Sequence, residues 1–179
     1  MSRLDSFIRR ALAQRDCLAD AARRIADLPG PVIELGLGNG RTYDHLRYLM
    51  PAREIFVFDR QVAAHPDCVP DAGHLFLGDF RATLPDAMTR LGAPVALLHG
   101  DIGSGNVAKT AALAAWLAPA IRPLLAPGAV VVCDQPLHDS GLEPLETPPS
   151  VEAERYFMYR ASDSGDSGDS GDSGDSGDS

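Results

Sequence analysis

Five acidic residues stand where short apolar runs end. They are Glu34 within VIEL, Asp59 after FVF, Asp79 after LFLG, Asp101 after LLHG and Asp134 after VVVC. Directly after the first run, Gly36-Leu37-Gly38-Asn39-Gly40 alternates glycines with other residues and leads into a helix-like pattern. Glycine loses more freedom on folding than any other residue, so three of them together need a reason. A tight strand-to-helix turn needs only one. Three point to a backbone that a ligand approaches closely. A ring of carboxylates at one edge of a sheet repels a phosphate and welcomes a cationic ligand that carries a ribose. Asp59 stands where an acid that accepts from ribose hydroxyls is expected. For any one of these aspartates the alternative is a cap on the next helix.

The glycine spacing separates two ligand classes. A dinucleotide fold uses G-x-G-x-x-G, whose third glycine lets the helix pack on the strand. Counted from Gly36, that third place holds Arg41. Two histidines are candidates for a base. His99 lies within an apolar run and reads as a buried, hydrogen-bonded residue; His138 lies on a loop, where function often concentrates. Neither is assigned, and the catalytic residue stays open. Asp101 and the pair Asp134-Gln135 could present oxygens to magnesium. Structural carboxylates are the commoner case, so no metal is assigned.

The elements that must position these residues follow from periodicity. Ser2 and Asp5 have the form of a capping box. Leu4, Ile8, Leu12, Leu18, Ile25 and Leu28 then predict a helix over 3–28, ended by Pro29-Gly30. Strands are expected at 32–35, 54–59, 74–79, 95–101 and 129–134. A helix runs from Arg41 to before Pro51, at most one helical turn falls within 61–73, and Leu84, Met88 and Leu91 suggest a short helix. Asn106 caps a further helix that Pro119 and Pro123 should kink or split. The segment 138–150 reads as loop, and 155–161 as a last strand. Strands alternating with crossover helices predict an α/β fold, a doubly wound, mostly parallel sheet in three layers.

The chain has 179 residues, enough for one compact α/β domain. Residues 1–161 form that domain: an N-terminal helix to 29, a core over 30–135 and an abbreviated C-terminal part over 136–161. Residues 162–179 repeat Ser, Gly and Asp without an apolar residue and are expected to be disordered. The formal net charge is −9, and six of the acids belong to that repeat, which leaves the body near −3. A body without basic excess argues against nucleic acid as the partner. Three cysteines and no CxxC argue against a disulfide framework and for a reducing cytoplasm. No uninterrupted apolar span is long enough for a membrane helix. Cys17, Cys133 and Trp116 read as packing.

The segments VIELGLGNGRTYDHL and FVFD resemble motifs I and II of the class I S-adenosylmethionine-dependent methyltransferases. LGDF, Asp101 and the LLAPGAVVV turn extend the resemblance over 30–135. It implies a Rossmann-like fold and S-adenosyl-L-methionine as cofactor. Gly36, Leu37, Gly38, Asn39 and Gly40 would pass under the methionine and ribose, with Glu34 supporting that loop or the amino group. Asp59 would take the ribose hydroxyls, with Arg60 beside it. Asp79 would accept from the adenine amino group and Phe80 would flank the ring. Asp101 would lie near the methionine ammonium. The cofactor's net positive charge suits such a site.

The family's sheet usually ends with strands five, seven and six. Only about twenty residues separate strand five from the last candidate strand here, so the sheet is expected to be cut down or completed by a second subunit in a homo-oligomer. No asparagine-proline-proline-tyrosine motif follows strand four. Gln135 replaces the asparagine of the catechol-type O-methyltransferases, and Lys109 is a poor match for their lysine. The resulting expectation is a methyltransferase acting on a small-molecule acceptor. The alternatives are a nicotinamide-dependent oxidoreductase and a non-catalytic cofactor-binding or assembly protein.

Overall fold

The runs VIEL, IFVFD and VALLHG become strands because they are apolar on both sides and bounded by glycine, proline or a turn. They are β1 (Val32–Leu35), β2 (Ile55–Asp59) and β4 (Val95–Gly100). The computed structural model describes residues 2–162, so the expected disorder of the Ser/Gly/Asp repeat falls, apart from Ser162, outside the described residues. With β3 (Leu75–Leu77), β5 (Leu125–Cys133), β6 (Leu142–Leu145) and β7 (Phe157–Ala161), the strands form one sheet in the order β3-β2-β1-β4-β5-β7-β6. The first five pair in parallel, and β7 runs antiparallel to both β5 and β6.

The first helix, α1 (Arg3–Arg24), carries the expected capping box. The Asp5 amide donates to Ser2 Oγ at 3.0 Å and the Ser2 amide to Asp5 Oδ2 at 3.1 Å. It stops four residues short of the predicted end. The Arg53 guanidinium takes the carbonyls of Ile25 at 2.6 Å and Gly30 at 2.8 Å, so Ile25 caps the helix and a turn follows. Next come α2 (Arg41–Leu49), α3 (Phe80–Thr83), α4 (Ala87–Leu91) and α5 (Val107–Ile121). The single helix expected around Leu84 is two pieces, because Pro85 cannot donate the next bond. Residues 61–73 hold one 3-10 turn, Pro66–Cys68.

Three expectations are corrected. Pro119 does not split α5 into two helices; the helix continues to Ile121, and Pro123 falls in the 3-10 turn that follows. Burial of Ala114, Leu117, Ala118 and Ile121 along one face holds the helix together across the missing donor. Strand β5 begins at Leu125, ahead of Pro127-Gly128, and a register irregularity opposite Val95–Leu97 absorbs that turn. The largest correction concerns the end of the sheet. Both final strands are present in this chain, and β6 arises inside the segment read as loop. Its Pro144 demotes the pattern LEPL to the eye, yet a proline is tolerated on an edge strand, and β6 is the edge. What the C-terminal part lacks is helices, not strands.

The sheet divides the core in two. One side packs Ile33, Leu35, Phe58, Leu98 and Leu117 with α5 and the short helices. The other packs Val32, Val57, Leu97, Leu18 and Leu46 under α1 and α2. Cys17 and Cys133 are buried apolar side chains, as read from the sequence; burial pushes the Cys17 thiol up to about 12. Trp116 packs against the first core with the Arg81 guanidinium over its ring.

Candidate functional site

Strands β1, β2 and β4 end at the same edge of the sheet. The loops that follow enclose a cavity of about 750 Å³, within the usual range of small-molecule sites. Its floor is the loop Gly36–Asn39. Asp59, Arg60 and Phe80 form one wall, the segment Asp101–Ser104 another, and α1 covers it.

The three glycines have different tasks. A Cβ on Gly36 would meet the Asp101 carbonyl oxygen at 2.6 Å, and one on Gly40 would meet Cys68 Cβ at 2.4 Å. Those two make room for neighbouring chain. Gly38 has φ +52° and nothing within 4 Å of its Cβ position, and it lines the cavity. Gly40 does not line it; it begins α2 in a left-handed conformation. Asn39 lines the cavity and accepts the Arg41 amide.

Asp59 organises this loop. Its Oδ2 accepts the amides of Leu37 at 2.8 Å and Gly38 at 3.2 Å, and its Oδ1 accepts that of Gln61 at 3.2 Å. A carboxylate has about four acceptor directions, so capacity remains toward the cavity. Asp101 also lines the cavity, paired with Arg10 and accepting from Gln14 Nε2 at 3.0 Å.

The other three acids are placed elsewhere, and the expected ring of five is not assembled. Asp79 caps α3, accepting the Arg81 amide at 3.0 Å, and lies outside the cavity lining. The helix-cap alternative holds there. Asp134 accepts the amides of Ile102 at 3.0 Å and Gly103 at 3.1 Å, fixing the loop after β4. Burial first, and Asp101 second, push its carboxyl above the usual range. Glu34 is wholly buried beneath the loop. It accepts from Thr42 Oγ1 at the start of α2 and lies 2.7 Å from His99 Nδ1. Thus Glu34 supports the loop.

His99 is the buried, hydrogen-bonded residue the sequence suggested, with Nε2 3.1 Å from the Tyr156 hydroxyl. Burial alone would lower its pKa; the Glu34 carboxylate, aided by Asp101 and Asp134, outweighs that and raises it. His138 is exposed and lines a separate cavity beside β6. Neither histidine reaches the site. The two carboxylates considered for magnesium, Asp101 and Asp134, both accept from the protein donors just named.

Several lining residues escaped the sequence reading. Phe7, Arg10 and Gln14 face the cavity from α1, and His45 from α2. His45 Nε2 is buried and has no hydrogen-bond partner within the protein.

The donor set fits S-adenosylmethionine. The cavity has room, Gly38 leaves the floor clear, a carboxylate stands at the end of β2, and Phe80 offers an aromatic edge.

Comparison with known proteins gives the same direction. Residues 1–161 match the model of a family described as S-adenosyl-L-methionine methyltransferase. No curated protein matches the chain. Among solved structures, an S-adenosyl-L-methionine methyl transferase from Silicibacter pomeroyi DSS-3 is 48% identical. It covers 90% of this chain and 99% of its own, with a TM-score of 0.85. Human methyltransferase-like protein 13 in complex with SAH matches at 14% identity and a TM-score of 0.56, covering 86% of this chain and 81% of its own. Human N-acetylserotonin methyltransferase in complex with SAM matches at 14% and 0.54, covering 84% and 52%. These two likenesses are of fold.

Proposed function

The chain belongs to the S-adenosyl-L-methionine methyltransferase family, and from that premise we propose that the cavity at the ends of β1, β2 and β4 holds the cofactor for transfer to a small-molecule acceptor. The family assignment sets aside the nicotinamide-dependent reading, in line with Arg41 at the third fingerprint place. It likewise favours an enzyme over a non-catalytic binding protein. The observation that carries the site is Gly38: a left-handed glycine whose Cβ direction is empty, on the floor of a cavity beside Asp59.

When bound, S-adenosylmethionine supplies a methyl carbon on a cationic sulfur, which an acceptor atom displaces in line. The chain's task is then mainly to position, and proximity alone can lower a barrier by roughly 7–11 kcal/mol. Gly36, Leu37, Gly38 and Asn39 form the floor that the ligand crosses. Asp59 accepts from the ribose hydroxyls while holding the Leu37 and Gly38 amides. Arg60 borders that end, Phe80 flanks the adenine, and Asp101 faces the ammonium group. Glu34, Gly40 and Asp79 act one step back, as supports for the floor, for α2 and for α3.

Three free cysteines support a reducing, cytoplasmic setting. No helix among the described residues is long and apolar enough to cross a membrane. Exposed Leu4, Phe7, Ile8 and Leu12 on α1 support a homo-oligomer, testable by light scattering. The function is tested by incubating the protein with methyl-labelled S-adenosylmethionine and a panel of small acceptors. Label in one acceptor, with S-adenosylhomocysteine released in equal amount, is the expected result. Label in none of a broad panel, despite bound cofactor, would return the non-catalytic alternative.

A further inference from the structure

We infer that the methyl acceptor is a small organic anion with an apolar, ring-like body, bound in a second chamber where Arg155 and Arg3 hold its charge. This rests on the cofactor reading above. The chamber, of about 570 Å³, lies between the first turns of α1, the end of β5 and the segment before β7. It shares Phe7 and Arg10 with the cofactor cavity, so the two spaces meet at those side chains.

The chamber's charges are unevenly satisfied. Arg155 Nη2 donates to the Ser6 carbonyl at 2.9 Å and approaches Ser6 Oγ at 3.4 Å. Its Nε is buried and has no partner. Neither Arg155 nor Arg3 forms an ion pair with a carboxylate among the described residues. A buried guanidinium nitrogen left without a partner is costly, and a guanidinium fork matches a carboxylate or phosphate. The chamber's own acids do not supply that partner. Asp134 is engaged by the Ile102 and Gly103 amides and by Gln135 Nε2 at 3.1 Å, and Glu154 is exposed to water.

Phe7, Pro136 and Phe157 provide the apolar part of the lining. Charge points the same way from the neighbouring cavity. A cationic acceptor would be repelled both by the arginines and by the cofactor's sulfonium, whereas an anion is drawn by both. A carboxylate and a phosphate share this chemistry.

The test uses the full chain loaded with S-adenosylhomocysteine and titrated with benzoate, phenyl phosphate and the neutral isostere benzamide, followed by NMR. One of the two anions is expected to bind at least about tenfold more tightly than benzamide, with shifts at residues around Phe157. Which one does so separates a carboxylate from a phosphate acceptor. Arg155→Met is expected to lower that affinity about tenfold and Arg155→Lys to restore part of it, with S-adenosylhomocysteine affinity unchanged in both. Equal binding of benzamide, silence of both anions, or undiminished anion binding in Arg155→Met would overturn the inference. Failure of S-adenosylhomocysteine to bind would instead contradict the cofactor reading, and the same anion comparison on the free protein would still decide the chamber.

Discussion

Asp59 combines two roles at the residue scale, holding the loop amides and facing the cavity. Asp59→Ala is therefore expected to weaken S-adenosylhomocysteine binding by about 1.5–3 kcal/mol, the range for hydrogen bonds to a charged group; calorimetry reads this directly. Glu34 behaves differently. Glu34→Leu removes the carboxylate that offsets the burial of His99, so the ring is left neutral and without that hydrogen-bond partner, and a stability loss of about 1–3 kcal/mol is expected from urea unfolding. The same pair sets a pH dependence. Because the folded His99 pKa is raised, its contribution is complete below the unfolded imidazole value near ~6.5 and is lost as pH rises through the folded value. Unfolding curves on either side of neutrality should show this loss in the wild type and a flatter response in His99→Gln. The sequence shows that Glu34 and His99 are polar residues in apolar runs. It does not show that they face each other, because strands buried on both faces have no polar–apolar alternation to reveal side-chain direction. For that reason the acids read as a ring, while the structure turns Glu34 inward.

The turn between β1 and α2 is the element whose purpose the sequence showed most clearly, and its glycines can be told apart by substitution. Gly40→Ala would force a side chain at φ +84° against Cys68, and a loss of at least about 1–3 kcal/mol in thermal or urea unfolding is expected. Gly38→Ala would keep more of the stability, since its Cβ meets nothing, but would place a methyl on the cavity floor and weaken cofactor binding. Equal effects of the two on binding would contradict this division. The glycine spacing pointed to a ligand turn; which glycine serves packing depended on Cys68 and Asp101, distant in sequence. Strand β6 was illegible for a related reason. Pro144 argues against a strand unless it lies at an edge, and edge position is a property of the whole sheet. The covering role of α1 was hidden too. Arg10 and Gln14 look like an ordinary solvated face until Asp101 is brought beneath them from β4.

For the whole molecule, the fold class and the places of the first five strands along the chain were legible from alternating periodicities, and the ligand edge from the glycines and acids that follow them. The last strand, β7, was legible too, but β6 and the way the two complete the sheet were not, because that needs the long-range pairing of Val131 with Tyr159 and Leu145 with Met158. A ligand that binds only the folded chain raises its stability by mass action. At a hundred times its dissociation constant, S-adenosylhomocysteine should add about 2.7 kcal/mol and raise the melting temperature by roughly 5–10 °C. The measurement that tests the central claim most directly is calorimetric titration of the full chain with S-adenosylhomocysteine, with NAD as the comparison. One-to-one binding of S-adenosylhomocysteine that is weakened in Gly38→Ala and Asp59→Ala, with NAD silent, is the predicted result. Binding of NAD with silence for S-adenosylhomocysteine, or full affinity in both variants, would contradict the placement of the cofactor on this loop.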